Sequence, residues 1–212
     1  MEKLSAFKGI GEINSIILSK NSHTEKLILD LDGTLFNHKL FVYERLLFAL
    51  NQKYYELITP IITTILFNEI SERGTNSILD FMCKKQNLDI DKSYFLEILR
   101  SDKIEMKENY FRPNLREVIV QLRDTFALSI CTNGNKQQQL NKVNKLYSIV
   151  GFKIETFYCI EYEPKPSPSC IFAAITGDLS SQCTLIGDTI EDLIAANNAK
   201  ITFLDVVNLV EK

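Results

Sequence analysis

The chain has 212 residues, of which 45% are hydrophobic and 24% charged, with a formal net charge of -3 and a pI near 5.5. That length suits one large domain, or a core domain carrying a smaller insert, and the slightly acidic balance excludes the strongly basic footprint of a nucleic-acid-binding protein. No apolar stretch reaches the roughly 18 to 20 residues that span a bilayer, and residues 1–20 lack the basic region, apolar block and small-residue cleavage site of a secretory signal. The expectation is a cytoplasmic protein with neither nucleic acid nor membrane as partner.

The first 26 residues carry a weak signal. Ile10, Ile13, Ile16 and Ile17 fit a short amphipathic helix, although Gly9 and Gly11 weaken it. An edge strand or a partly disordered arm are the alternatives. Leu27 to Leu29 then reads as a short buried parallel strand. It ends at Asp30-Leu31-Asp32-Gly33-Thr34. Strand alternation sends Asp30 and Asp32 to the same side. Two carboxylates held that close require a cation or a proton to compensate them, which points to metal chemistry, an acid–base pair, or both. The bland alternative is a turn, for which Asp-Gly is a common pair.

From about His38 to Asp102 the texture is helical. Phe41 to Ile58 forms one pattern, stopping at Thr59-Pro60, and Ile61 to Glu72 a second, stopping at Gly74. Thr75 and Asp91 are placed to cap two more, Asn76 to Lys85 and Lys92 to Arg100. The aromatic run Phe41, Tyr43, Phe48, Tyr54 and Tyr55 reads as packing inside this block. Arg45, Arg73 and Arg112 read as solvated side chains, with a substrate anion as the alternative, and His38 as a possible substrate contact.

After residue 102 helix and strand alternate. Arg112-Pro113 opens a helix to Arg123 with proline in its first turn. Strand Ala127 to Cys131, helix Lys136 to Tyr147 and strand Thr156 to Ile160 follow. A helix from Ser167 or Pro168 to Thr176 leads to strand Cys183 to Ile186. Helix Glu191 to Asn198 and strand Ile201 to Val206 complete the pattern. This is βαβ spacing, and it predicts a Rossmann-like parallel sheet covered on both faces. Residues 1–36 and 103–212 form the α/β core, and residues 37–102 an all-helical insert standing over the carboxyl ends of the strands, where open α/β sheets bind ligands.

The five cysteines, Cys83, Cys131, Cys159, Cys170 and Cys183, are odd in number and contain no C-x-x-C pair. They read as buried free thiols rather than a disulfide framework or a zinc site. His23 and His38 stand far from any third ligand, which argues against a histidine-based metal centre.

Three further strand ends carry reactive residues: Thr132-Asn133-Gly134, Glu161-Tyr162-Glu163-Pro164-Lys165-Pro166, and Gly187-Asp188-Thr189 with Asp192 four residues past Asp188. Taken with Asp30-Leu31-Asp32-Gly33-Thr34-Leu35, the four sets in this order resemble the haloacid dehalogenase superfamily, specifically its phosphatases with a helical cap inserted after the first motif. The resemblance covers about residues 27–206. It implies Asp30 as nucleophile, forming an aspartyl-phosphate, and Asp32 as the acid that protonates the leaving alkoxide and then deprotonates water. It implies Mg²⁺ held by Asp30, Asp188 and the backbone carbonyl of Asp32, and phosphate held by Gly33, Thr132, Asn133 and Lys165. Asp192 becomes an outer partner, of the metal or of Lys165, and Asp188 is also placed to cap the helix after it. Family members often carry a glycine soon after the fourth-motif helix, whereas here Ala199-Lys200-Ile201 leads straight into the last strand.

Within the superfamily the second acid discriminates. Dehalogenases lack it, P-type ATPases carry threonine there and phosphonatases alanine, so Asp32 favours a phosphate monoester. The resulting expectation is a Mg²⁺-dependent phosphatase acting on a small phosphorylated metabolite. The alternatives are a phosphohexomutase of the same superfamily and a non-catalytic binding or regulatory protein on this fold. In the family the cap sets the substrate, and one helical cap sequence names none.

Overall fold

The computed structural model describes residues 4–53, 80, 91–101, 105–175, 177 and 180–211. The chain divides into two compact units, His38–Glu105 and a second made of Glu2–Asn37 with Met106–Lys212.

The second unit is built on a five-stranded, all-parallel sheet in the order β3-β2-β1-β4-β5. Its strands are β1 (Lys26–Leu29), β2 (Ala127–Thr132), β3 (Glu155–Tyr158), β4 (Cys183–Gly187) and β5 (Thr202–Asp205). β1 lies at the centre, in register with Leu29 opposite both Ile130 and Ile186. All four of its residues are buried, as a strand covered on both faces requires. The ladder continues one step past it, the Asp30 amide donating to the Ile186 carbonyl at 2.9 Å. The segments after β1, β2 and β4 therefore leave the same edge side by side.

Alternation divides the sheet residues between two cores. Ile28, Cys131, Cys183 and Leu185 pack with Ile171 and Ala174 of α6 (Ser169–Ala174) and with Ala195, Ala196 and Ala199 of α7 (Ile190–Ala199). Leu29 and Ile186 surround a small void with Ile13 of α1 (Ile10–Lys20) and with Val118, Ile119 and Leu122 of α4 (Leu115–Thr125). Ile13 and Ile17 are fully buried, so the N-terminal segment packs as a helix despite its glycines. It is fastened by a Phe7–Val210 bridge.

Several boundaries differ from the expectation. α4 starts at Leu115, not at Arg112-Pro113, because Asn114 sits in the left-handed region (φ 53°). Its side chain bonds the amide and carbonyl of Phe7 at 3.0 and 2.9 Å instead of capping the helix. β3 stops at Tyr158, since its partner β2 ends at Thr132, the residue paired with Tyr158. Cys159–Glu161 then forms a 3-10 turn that buries Cys159 and exposes Ile160. α5 (Lys136–Val150) runs three residues beyond the expected end and stops at Gly151. α7 is capped by Thr189, not Asp188, through a capping box with Asp192. Lys200 adopts the left-handed conformation (φ 59°) that a glycine would take without strain.

In the unit His38–Glu105 the described helices are α2 (His38–Lys53) and α3 (Lys92–Arg100), the latter capped by Asp91, whose Oδ1 accepts from the Ser93 and Tyr94 amides. Arg45 is buried, not solvated: it lies 4.2 Å over the Phe41 ring and donates to the carbonyls of Ile98 and Ser101. Phe41 is fully buried, whereas Phe48 is exposed. Tyr54, Tyr55, Arg73, Cys83, Thr75 and the expected helices 61–72 and 76–85 lie outside the described residues.

Candidate active site

The carboxyl edge of the sheet holds a cavity of about 280 Å³ lined by Asp30, Asp32, Thr132, Asn133, Lys165, Thr189, Glu191 and Asp192. At its centre is Lys165, a cation shared by two acids. Its Nζ lies 2.5 Å from Asp30 Oδ1 and 2.5 Å from Asp192 Oδ1, and also donates to the Cys131 carbonyl at 3.2 Å. Lys165, Asp30 and Asp192 are 6%, 5% and 1% exposed, so the charges meet in a medium where they interact far more strongly than in water. Asn133 fixes the loop that carries Lys165: its Oδ1 accepts from the Lys165 amide at 2.9 Å and its Nδ2 donates to the Lys165 carbonyl at 3.2 Å.

Asp188 stands on the other side of the cluster. Thr34 Oγ1 donates to its Oδ1 at 3.2 Å, and one oxygen from each of Asp30, Asp188 and Asp192 falls within 4.8 Å of the others. Gly33 makes that approach possible. It has φ +87°, and a Cβ on it would lie 1.9 Å from Asp188 Oδ2. The loop is held from beneath by Arg112, which donates to the carbonyls of Thr34 (2.5 Å), Gly33 (2.9 Å) and Ser5 (2.9 Å). Arg112 is 7% exposed, which corrects its reading as a solvated side chain; burial depresses it to about 10.

The electrostatics follow from this crowding. Asp30 is pushed up to about 7, by burial first and by the Asp192 charge, against the pull of Lys165. Asp188 is pushed up to about 6 by desolvation and by Asp192. Lys165 is driven upward by Asp30 and Asp192, which outweigh the cost of its own burial. Of the five titratable residues expected at the site, Asp30, Lys165, Asp188 and Asp192 thus converge directly; Asp32 lies beside them with different partners. Lys142 Nζ contacts both of its oxygens, at 2.6 and 2.8 Å, and Gln139 Nε2 donates to Oδ2 at 2.9 Å.

Lys142 and Gln139 escaped the sequence motifs, yet a signal for them exists. The buried face of α5 is Gln139, Lys142, Val143, Leu146 and Val150. Extending the apolar stripe backwards at helical period lands on those two polar residues. Thr132 is buried at 1% exposure at the end of β2, beside the cavity, as its place in the motif anticipates. His38 belongs to the other unit, 6.4 Å from the Phe41 ring. The described cysteines, Cys131, Cys159, Cys170 and Cys183, are buried.

Residues 27–206 match the family model of haloacid dehalogenase-like hydrolases. The chain belongs to that family. Hydrolases of the family share its fold at low identity. YfnB of Bacillus subtilis, assigned as a HAD hydrolase and bound to magnesium, is 15% identical over 85% of each chain with a TM-score of 0.66. A protein of Lactobacillus plantarum assigned as a phosphoglycolate phosphatase is 20% identical over 87% of each chain, TM-score 0.54. One of Thermotoga maritima assigned as a β-phosphoglucomutase is 16% identical over 84% of this chain and 82% of that one, TM-score 0.64. No curated protein matches the chain in sequence.

The acids present suit a metal ion. Hard carboxylate oxygens are the donors that Mg²⁺ and similar cations prefer, and burial together with the Asp192 charge disfavours the ionised forms of Asp30 and Asp188, a cost that a cation between them would relieve. Asp192 is already engaged through both oxygens, Oδ1 by Lys165 and Oδ2 by Thr189. Asp30 and Asp188 are the carboxylates left facing one another.

Proposed function

We propose that the protein is a Mg²⁺-dependent phosphohydrolase of the cytoplasm that cleaves the phosphate monoester of a small metabolite by way of an aspartyl-phosphate on Asp30. The observation that carries this reading is the Lys165 ammonium, held 2.5 Å from Asp30 at the end of the central strand. It fixes one Asp30 oxygen and leaves the other to attack phosphorus. Asp188 and Asp30, with the Asp32 carbonyl, would hold the cation, whose chemistry is to neutralise charge on the phosphoryl oxygens. Lys165, the Thr132 hydroxyl and the backbone of Asn133 bind those oxygens, whereas Gly33, expected among them, is already committed: its amide donates to the Phe36 carbonyl at 2.8 Å and its carbonyl accepts from Arg112. Asp32 protonates the departing alkoxide and then takes a proton from the water that hydrolyses the phosphoenzyme. Asn133 and Arg112 act at one remove, keeping the loops of Lys165 and Gly33 in place.

The test is phosphate release across a library of metabolite monoesters, with and without Mg²⁺. Asp30→Asn is expected to abolish release while leaving the fold intact. Full activity in that variant sinks the mechanism. The likeness to the Thermotoga maritima protein favours one second reading, a phosphomutase; conversion between sugar phosphates without net phosphate release would select it. No turnover of any aryl or metabolite phosphate would select the non-catalytic binding protein.

A further inference from the structure

We infer that Lys142 and Gln139 form a clamp that positions Asp32 for proton transfer, so that their contribution to rate grows with the leaving group's need for a proton. This rests on the reading of Asp32 as acid and base.

The geometry is that of a built support. Asp32 sits on a loop past the end of β1 and its side chain is 24% exposed. Unsupported, such a carboxylate samples several rotamers. Here Lys142 bridges both oxygens while Gln139 takes one, fixing the plane of the group as well as its position. The two residues lie three apart on α5 and share a face. Asn135 caps that helix by accepting from the Gln138 amide, and Val143, Leu146 and Val150 anchor its buried side. The clamp is therefore carried by a rigid element, as a functional side chain needs.

Packing alone does not account for these residues. Lys142 is fully buried, with its ammonium 4.9 Å over the Phe36 ring, and Phe36 is itself fixed edge-on by Phe111 and Tyr110. The stripe that continues as Val143 and Leu146 would accept an apolar residue there, and a buried ion pair is weak support for stability. Gln139 is 2% exposed, and its Oε1 is buried with no hydrogen-bond partner in the structure. The amide is thus committed to Asp32 at the expense of its own acceptor.

The chemistry assigns the clamp a distinct signature. In the first step an Asp30 oxygen bonds to phosphorus, the ester P–O bond breaks, and the departing oxygen takes the Asp32 proton. In the second, water oxygen bonds to phosphorus, its proton passes to Asp32, and the bond to Asp30 breaks to give inorganic phosphate. A dinitrophenolate leaves without a proton, whereas an alkoxide does not. The second step needs Asp32 for either ester.

The experiment compares wild type, Lys142→Met, Gln139→Leu and Asp32→Asn on 2,4-dinitrophenyl phosphate and on a simple alkyl phosphate, with Mg²⁺ present. Lys142→Met is expected to lose about 100-fold in kcat on the alkyl ester, within the span of general acid–base effects, with KM changed less than about threefold. On the aryl ester it should release a rapid burst of about one equivalent of dinitrophenolate and then turn over slowly, because the phosphoenzyme forms but waits for its base. Gln139→Leu should show the same selectivity at about tenfold, and it covers the case in which the lysine variant does not fold. Adding Lys142→Met to Asp32→Asn should cost no more than about twofold, since both act through one group. Equal slowing of both esters without a burst, or full additivity with Asp32→Asn, overturns the clamp and leaves the phosphatase reading standing. A wild type that turns over neither ester, or an Asp30→Asn variant that does, overturns the reading and the clamp with it.

Discussion

Two glycines provide a controlled test of the site's central loop. Gly33 and Gly151 both have φ +87°, so alanine at either incurs the same left-handed backbone strain, about 1 kcal/mol. In a protein of this size that lowers Tm by about 2 to 4 °C. Their surroundings differ completely. A Cβ at Gly151, past the end of α5, meets nothing within 4 Å. A Cβ at Gly33 meets Asp188 Oδ2 at 1.9 Å, Cγ at 2.4 Å and Oδ1 at 2.7 Å. Real Cβ contacts essentially never fall below 3.0 Å, so the carboxylate must retreat by at least about 1 Å, beyond the roughly 0.5 Å tolerance of a working site. It also loses the Thr34 hydrogen bond. Gly33→Ala should therefore weaken Mg²⁺ binding by about 10- to 100-fold, the range seen when a ligand's support is disturbed, while Gly151→Ala leaves it unchanged. Isothermal titration with Mg²⁺ and a melting curve on each variant decide the matter. Equal metal affinity in the two variants would refute the placement of Asp188 as a ligand held by the Gly33 turn.

Acid pH should oppose the metal. Asp30 stands near 7 and Asp188 near 6, both above 3.8, so the metal-free fold holds protons that the unfolded chain releases. The stability these groups contribute is full below pH 4 and lost as pH rises through 6 to 7. Mg²⁺ must displace the same protons; its affinity should climb between pH 5.5 and 7.5, with proton release visible in buffers of different ionisation enthalpy, and a flat profile contradicts this. Arg112→Met removes a buried cation from three carbonyls and should cost about 3 kcal/mol, a Tm drop of roughly 6 to 12 °C; a change under 2 °C would show that the Gly33 loop holds itself. Lys200→Gly relieves a left-handed lysine after α7 and should raise Tm by about 2 °C, with no gain in Tm telling against strain there.

The sheet and its reactive edge were legible in the sequence because parallel strands buried on both faces read as short apolar runs, and each of the motif-bearing runs stops at a group that has no place in a core. Leu27 to Leu29 before Asp30, and Leu185 to Ile186 before Gly187-Asp188, are of this kind. Boundaries were less legible where tertiary contacts override local preference. Proline favours a helix start, but Asn114 is drawn to Phe7, 107 residues away, and α4 begins later. β3 ends where its neighbour ends, a constraint that no local pattern carries.

The site was legible by its motifs and illegible in its charge compensation. Asp30, Asp32, Asp188 and Asp192 place four carboxylates in one region, with two ammonium groups against them. Lys142 is taken up by Asp32, and Lys165 is divided between Asp30 and Asp192. Asp188 meets the Thr34 hydroxyl. Among these six groups two negative charges formally remain, and Asp30 and Asp188 are the acids pushed upward, by burial first and by the Asp192 charge after it. Those are the two carboxylates read as metal ligands. The sequence could suggest that the Asp30/Asp32 pair needs compensation, but not that the two acids obtain it from different lysines. Lys165 comes from a loop after β3 and Lys142 from the buried face of α5, and only the fold brings each to its own aspartate. In the proposed mechanism that separation lets one acid serve as nucleophile in a crowded cluster while its neighbour two residues away is held apart for proton transfer.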